Sequence, residues 1–275
     1  IMSKGLGVDK IFLYLIITPL ALGFAVFMSA SMGVFAKDSA LFNSIAFKQV
    51  FFGIILGSVA CFVFSRINYK FLKKYSFFIF AFSLLLCAIL FIPNVGVELN
   101  GAKRWIVIFG LSFQPVAILN IGFIIYWAAW LSHVKEKVKE IRHGFIPLLV
   151  MLAVIGALLL KQPDTDSFFI ICGTGIAMFL IAGGKLKDVL ILGLIGIVCI
   201  SVLAFSRPYV MSRIETFLNP QANSLTSGYQ LQQSLIAIGS GQFSGRGFGQ
   251  SVQKYKFLPE SISDSIFAVL GEEVG

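Results

Sequence analysis

Charge is scarce in this chain of 275 residues. Only 13% are Asp, Glu, Lys or Arg, against about 25% in an ordinary soluble domain. Apolar residues make up 57%, 29 of the residues are Phe, and the mean hydropathy is +0.90. That balance excludes a water-soluble globule and points to an integral membrane protein. Two histidines and four cysteines leave no Cys/His metal spacing. Cys61, Cys87, Cys172 and Cys199 fall inside apolar runs, so they read as small buried hydrophobes and not as a disulfide framework. The short polar/apolar alternation of an outer-membrane barrel is missing too.

What is present is a series of long apolar runs. Seven stretches, at about 11–36, 46–65, 76–95, 113–132, 145–160, 167–183 and 187–206, have the roughly 20 residues a helix needs to cross hydrocarbon. An eighth starts near Ser265 and is cut short. The first is longer than a signal-peptide core and lacks a small-residue cleavage site, so it reads as a retained helix. The expected fold is all-α: a polytopic bundle of seven full transmembrane helices plus the start of an eighth, in one integral-membrane domain over residues 1–275.

Lys and Arg fix the expected orientation. Alternate loops hold Lys4 and Lys10; Arg66, Lys70, Lys73 and Lys74; Lys135, Lys137, Lys139 and Arg142; Lys185 and Lys187. The opposite loops hold only Lys37, Lys48, Lys103, Arg104 and Lys161. The N-terminus is expected in the cytoplasm, with 207–264 as a large outer loop between helices seven and eight. The net charge of +9 is then a topology signal, aided by anionic lipid headgroups, and no basic stripe suggests a nucleic acid.

The long outer loop carries two amphipathic segments, "RPYVMSRIETFLNP" and "YQLQQSLIAIG", and a loop this long is usually functional or disordered. Between Gly239 and Gly249 lies "GSGQFSGRGFG", which has no Walker Lys-Ser/Thr pair. It reads as a flexible turn or as a nest of backbone N–H groups around Arg246 that binds an anion. The other unusual loop, Asn94 to Pro115, sets Lys103 and Arg104 beside Trp105 on the outer side. That grouping suits either an ordinary headgroup or a lipid-linked phosphate. His133 and His143 read as helix-end residues, and Asp166 as a helix cap. Glu260 and Asp264, four residues apart, precede the eighth apolar run. From the residues alone Asp264 reads first as a helix cap and second as a general base.

Together, "NGAKRWI" with "FQP", "QPD", "SGYQLQQSLIAIGSGQFSGRGFGQSVQKYKFLPE" and "DSIFAVLGEEVG" resemble the SEDS family of shape, elongation, division and sporulation proteins (FtsW/RodA/SpoVE). "GFGQSVQK" and "LGEE" are closer to the FtsW division branch than to the RodA elongation branch. The resemblance implies a ten-helix glycosyltransferase of the bacterial cytoplasmic membrane, acting at the division septum and polymerising lipid II into β-1,4-linked peptidoglycan strands on the outer face. It implies Asp264 as the general base, with the catalytic site in the 207–264 loop. Lys103, Arg104, Arg246, Gln233, Ser234 and Glu260 become the implied substrate- and diphosphate-binding residues, aided by a divalent cation, Mg2+ or Mn2+. The implied partners are lipid II, the growing glycan strand, membrane lipid, a class B penicillin-binding transpeptidase and other division proteins.

The chain departs from the family pattern in three places. Ile262-Ser263-Asp264-Ser265 stands for "HTDF", Ala117 and Asn120 replace the Glu and Lys of "QPxELxK", and Asp166 replaces the Gly of "QPDxGT". The family pattern continues beyond "GEELG" with the rest of helix eight and two more helices, so a C-terminally truncated chain is expected. Two other functions fit the same features: a flippase or transporter of lipid-linked precursors, and a noncatalytic division scaffold.

Overall fold

Apolar runs too long for any turn must satisfy their own backbone, and in this protein they do so as helices. The computed structural model describes residues 9–36, 39–92, 96–99, 102–108, 111–206, 208–219 and 228–275. Lys4, Lys37 and Arg207 of the charge pattern, and part of the loop between 219 and 228, lie outside the described residues. Helix α1 is Lys10–Phe35; Asp9 caps it, its Oδ1 accepting from the N–H groups of Ile11 and Phe12 at 3.0 and 3.1 Å. Helix α2 (Ser39–Lys48), a π-helical stretch (Gln49–Leu56) and α3 (Gly57–Arg66) form the apolar run Ser39–Arg66. Helix α4 is Tyr69–Ile89, capped by the side chain of Asn68. Helix α5 is Pro115–Val134, with proline at its first turn where no N–H is needed.

Lys10–Phe35, Ser39–Arg66, Tyr69–Ile89 and Pro115–Lys139 are long and apolar enough to cross a membrane. Shorter apolar helices follow: α6 (Phe145–Leu159) and α7 (Thr165–Ile181). Helix α8 is Leu186–Ser206. Many large apolar side chains, Phe12, Leu15, Phe62 and Phe78 among them, face outward, as lipid contact demands and water would not tolerate in such number. The chain is a multi-pass membrane protein.

One region departs from the all-α expectation. Residues between α4 and α5 form a three-stranded antiparallel sheet, β1 (Gly96–Leu99), β2 (Ala102–Ile108) and β3 (Leu111–Phe113), in the order β1-β2-β3. Trp105, Ile106, Val107 and Ile108 supply the β-branched and aromatic run that favours a strand, and the register shifts between Val97 and Glu98.

The chain divides into two compact units, Phe62–Ser201 and the combination of Ile1–Cys61 with Val202–Gly275. In the first, α4 and α5 pack through Phe80 stacked on Tyr126, with ring centroids 5.1 Å apart. The core continues through Phe123, Trp127, Leu148, Ile155 and Phe179. Trp127 is fully buried, and its indole N–H donates to the Gly175 carbonyl at 3.1 Å, so this buried donor is met. Cys87 lies in this core, whereas Cys61 and Cys199 are exposed, where a small apolar thiol suits lipid as well as it suits a core.

In the second unit, α9 (Pro208–Leu218), α10 (Tyr229–Gly241), the short α11 (Gln253–Lys256) and α12 (Ile266–Val274) accompany α1. Ala30, Ala237, Leu258, Ala268 and Val269 form its buried core. Small residues set the spacing: a Cβ added at Gly33 would fall on the Lys254 carbonyl, and one at Gly241 on the Gly271 carbonyl.

Candidate functional site

Two adjacent glutamates in an apolar helix should be costly, since each buried carboxylate needs several donors to replace water. Glu272 and Glu273 of α12 are 0% and 3% exposed. The loop 246–254 meets that need. Ser251 Oγ donates to Glu272 at 2.6 Å, and the backbone N–H groups of Val252 and Gln253 donate at 3.1 and 3.3 Å. Arg246 Nη1 lies 3.5 Å from the same carboxylate. Glu273 takes Lys254 Nζ at 2.8 Å, Ser29 Oγ from α1 at 2.7 Å and the Ser251 N–H at 3.3 Å.

Lys254 is itself buried, and its ammonium also donates to the Gly249 carbonyl at 2.8 Å and to Ser29 Oγ at 3.0 Å. All three of its donors therefore have partners. Gly245 and Gly247, with φ of 68° and 106°, let the loop run against α12, where Arg246 N and Gly247 N each donate to a glutamate carbonyl at 3.0 Å. The N–H groups that meet the two carboxylates come from Ser251, Val252 and Gln253, just past the glycine-rich loop, whose own Arg246 and Gly247 N–H groups meet peptide carbonyls.

This clamp closes a loop from Lys254 to Glu273, and Glu260 and Asp264 lie inside it. The intervening turn is held at several points. Ser261 and Ser265 are buried, Gln230 Nε2 of α10 donates to Ser265 Oγ at 3.1 Å, and the Glu260 carbonyl accepts from Ser263 N and Ser265 N at 3.2 and 3.0 Å. Glu260 has a φ of 49° and accepts from Ser263 Oγ at 2.8 Å. Asp264 is exposed, and its carboxylate has no hydrogen-bond partner among the described residues. It does not cap α12: the N-cap position belongs to Ser265, which makes no capping bond.

Gln233 and Ser234 are partly buried on α10, which packs on α12. Lys103 and Arg104 belong to the other unit. Lys103 is exposed on β2, while Arg104 turns inward, donates to the carbonyls of Gln162 and Pro163, and lies 4.0 Å from Asp164. It ties the sheet to "QPD". Asp164, not Asp166, caps α7, accepting from Ser167 N at 3.4 Å. Ala117 and Asn120 sit at the start of α5.

Among the described residues no three His, Cys, Asp or Glu side chains converge on a metal position. Glu272 and Glu273 are already saturated with N–H and O–H donors, so no resident metal centre fits this donor set.

Sequence reading overlooked Ser29, Ser251 and Lys254. Their one available signal was the Glu-Glu pair inside an apolar run, which demands buried donors from elsewhere in the chain.

The chain as a whole, clamp and turn included, falls within a match to known proteins. The pattern of the FtsW/RodA/SpoVE cell cycle proteins matches residues 9–275. The probable peptidoglycan glycosyltransferase FtsW of Idiomarina loihiensis is 40% identical over 190 residues, 69% of this chain and 46% of that protein. Stage V sporulation protein E of Bacillus subtilis is 34% identical over 265 residues, 96% of this chain and 72% of that protein. The chain thus spans about half the length of the Idiomarina protein. A chain of a solved peptidoglycan synthase complex matches with a TM-score of 0.72 at 22% identity, covering 98% of this chain and 72% of that one, a likeness of fold. With its sequence pattern matched from the first helix through "GEEVG", the chain belongs to the FtsW/RodA/SpoVE family of cell cycle proteins, the SEDS family.

Proposed function

We propose that this chain carries the glycosyltransferase site of a peptidoglycan polymerase, with lipid II as substrate, at the outer face of the bacterial cytoplasmic membrane during cell division. Seven membrane-crossing helices, α12 as the start of an eighth and a cytoplasmic N-terminus complete the arrangement. The observation that carries this reading is Asp264: an exposed carboxylate without a hydrogen-bond partner among the described residues, on a turn fixed by buried serines and closed by the Lys254–Glu273 ion pair. Such a group is free to accept a proton, and its backbone is held still while it does so.

In the proposed reaction Asp264 takes the proton from the acceptor sugar's 4-hydroxyl. The oxygen attacks the anomeric carbon of the lipid-linked donor, the bond to the diphosphate breaks, and undecaprenyl diphosphate leaves. One displacement inverts an α donor to a β-1,4 linkage. Arg246, whose side chain keeps 42% exposure beyond its Glu272 contact, is a candidate cation for the leaving group. Lys103 and Arg104 are the further candidates, with Gln233, Ser234 and Glu260 for the sugars. A divalent cation, Mg2+ or Mn2+, is proposed to share the diphosphate charge with these side chains. A class B penicillin-binding transpeptidase is the proposed partner, supported by the fold shared with a chain of a peptidoglycan synthase complex.

Proteoliposomes given labelled lipid II test the reading. The unaltered protein should yield glycan polymer, and Asp264→Ala should lower the rate by about 100-fold or more. Equal product from both would remove Asp264 from the chemistry. Flipping of lipid II without any polymer would make the protein a transporter.

A further inference from the structure

An open cavity of about 820 Å3 lies in the Phe62–Ser201 unit, and none of the proposed catalytic or substrate-binding residues lines it. Leu131, Ser132, Lys135, Glu136, Lys139, Ala182 and Gly183 line it. Its volume falls within the range of about 300–1,000 Å3 usual for small-molecule sites. Its walls come from the C-terminal ends of two apolar helices, α5 and α7, and from the 3-10 turn Lys135–Lys139, so it opens where hydrocarbon gives way to headgroups.

The lining has two characters. Leu131 and Ala182 are apolar. Lys135 and Lys139 are exposed ammonium groups with no carboxylate within ion-pair distance among the described residues, and Lys73 adds a third cation by donating to Ser132 Oγ at 2.8 Å. Against them stands Glu136, while the nearby Glu140 is occupied by His143 at 2.8 Å. The backbone is bent to form this wall: Lys135 has a φ of 51°, a conformation side chains seldom adopt, and Gly183 on the opposite wall has a φ of 93°.

A cavity at a membrane boundary that is cationic on one side and apolar on the other matches an anionic amphiphile. We infer that it is a binding site for the phosphate headgroup of an anionic phospholipid, with Lys135 and Lys139 on the phosphate, Lys73 beside them, and Leu131 and Ala182 against the start of the acyl chains. Clustered basic residues near a bilayer draw in anionic lipid anyway. The cavity adds a defined seat, so binding should saturate at one lipid and depend on which lysines are removed.

Native mass spectrometry of the purified chain in detergent, titrated with phosphatidylglycerol, phosphatidylcholine or inorganic phosphate, tests this. The expected result is one saturable phosphatidylglycerol adduct and no comparable phosphatidylcholine adduct. Lys135→Gln with Lys139→Gln should weaken the adduct by about tenfold. Lys185→Gln with Lys187→Gln removes the same charge from the start of α8 and should leave affinity within about twofold. Ala182→Trp, which fills the cavity without touching charge, should weaken binding as well and guards against misfolding of the lysine variant. Unchanged binding in both cavity variants would overturn the inference. So would equal loss in the Lys185/Lys187 variant, which would mean diffuse surface charge. Displacement of the lipid by equimolar phosphate would make free phosphate the ligand.

Discussion

Lys254 holds together segments that are far apart in the sequence. Its ammonium lies between Glu273, Ser29 and the Gly249 carbonyl, with no exposure to share the charge with water. Breaking a buried pair by deleting one partner costs more than the pair contributes, because the other charge is left without compensation. Lys254→Met should therefore lower unfolding stability by about 3–5 kcal/mol, read as a drop in the thermal midpoint in detergent. Adding Glu273→Gln to Lys254→Met should recover part of that loss, since the double variant buries no lone charge. A double variant as unstable as the sum of two independent losses would show that the residues do not act as a pair.

At the scale of elements, close approach is set by glycine. Gly241 of α10 faces the Gly271 carbonyl of α12 with no room for a Cβ. Gly241→Val should push α10 off α12 and raise protease sensitivity of the 242–250 loop, whereas Gly239→Val, in open space on the same helix, should change little. Equal effects would mean that α10 and α12 do not rely on this approach. Helices were the legible part of this fold, because runs of Leu, Ile and Phe near 20 residues leave the backbone one solution. Their ends were less so: α4 starts at Tyr69, since Lys70, Lys73 and Lys74 extend the helix beyond the apolar run. The sheet was hidden in a loop reading by its lysine and arginine, although Trp105 to Ile108 carried a strand signal. The clamp was hidden for a different reason. Ser29 and Glu273 are 244 residues apart, and nothing local in either segment names the other. Asp264 and Glu260 were legible as neighbours, but the absence of a capping bond at Asp264 is a tertiary fact.

For the whole molecule, the charge pattern commits to one orientation. Single cysteines placed at Lys137 or Lys185, with the native four replaced, should react with a membrane-impermeant maleimide only after cells are opened, while one at Lys103 should react in intact cells. Labelling in the reverse sense would invert the topology and put Asp264 on the cytoplasmic side. The proposed chemistry needs Asp264 outside, exposed and held. The most direct measurement is the lipid II polymerisation rate of Asp264→Asn in proteoliposomes, taken beside its thermal midpoint. Because the Asp264 carboxylate is exposed and makes no hydrogen bond among the described residues, the midpoint should stay within about 1 °C of the unaltered protein, while the rate falls by about 100-fold or more. A variant that still polymerises at the unaltered rate would contradict the account.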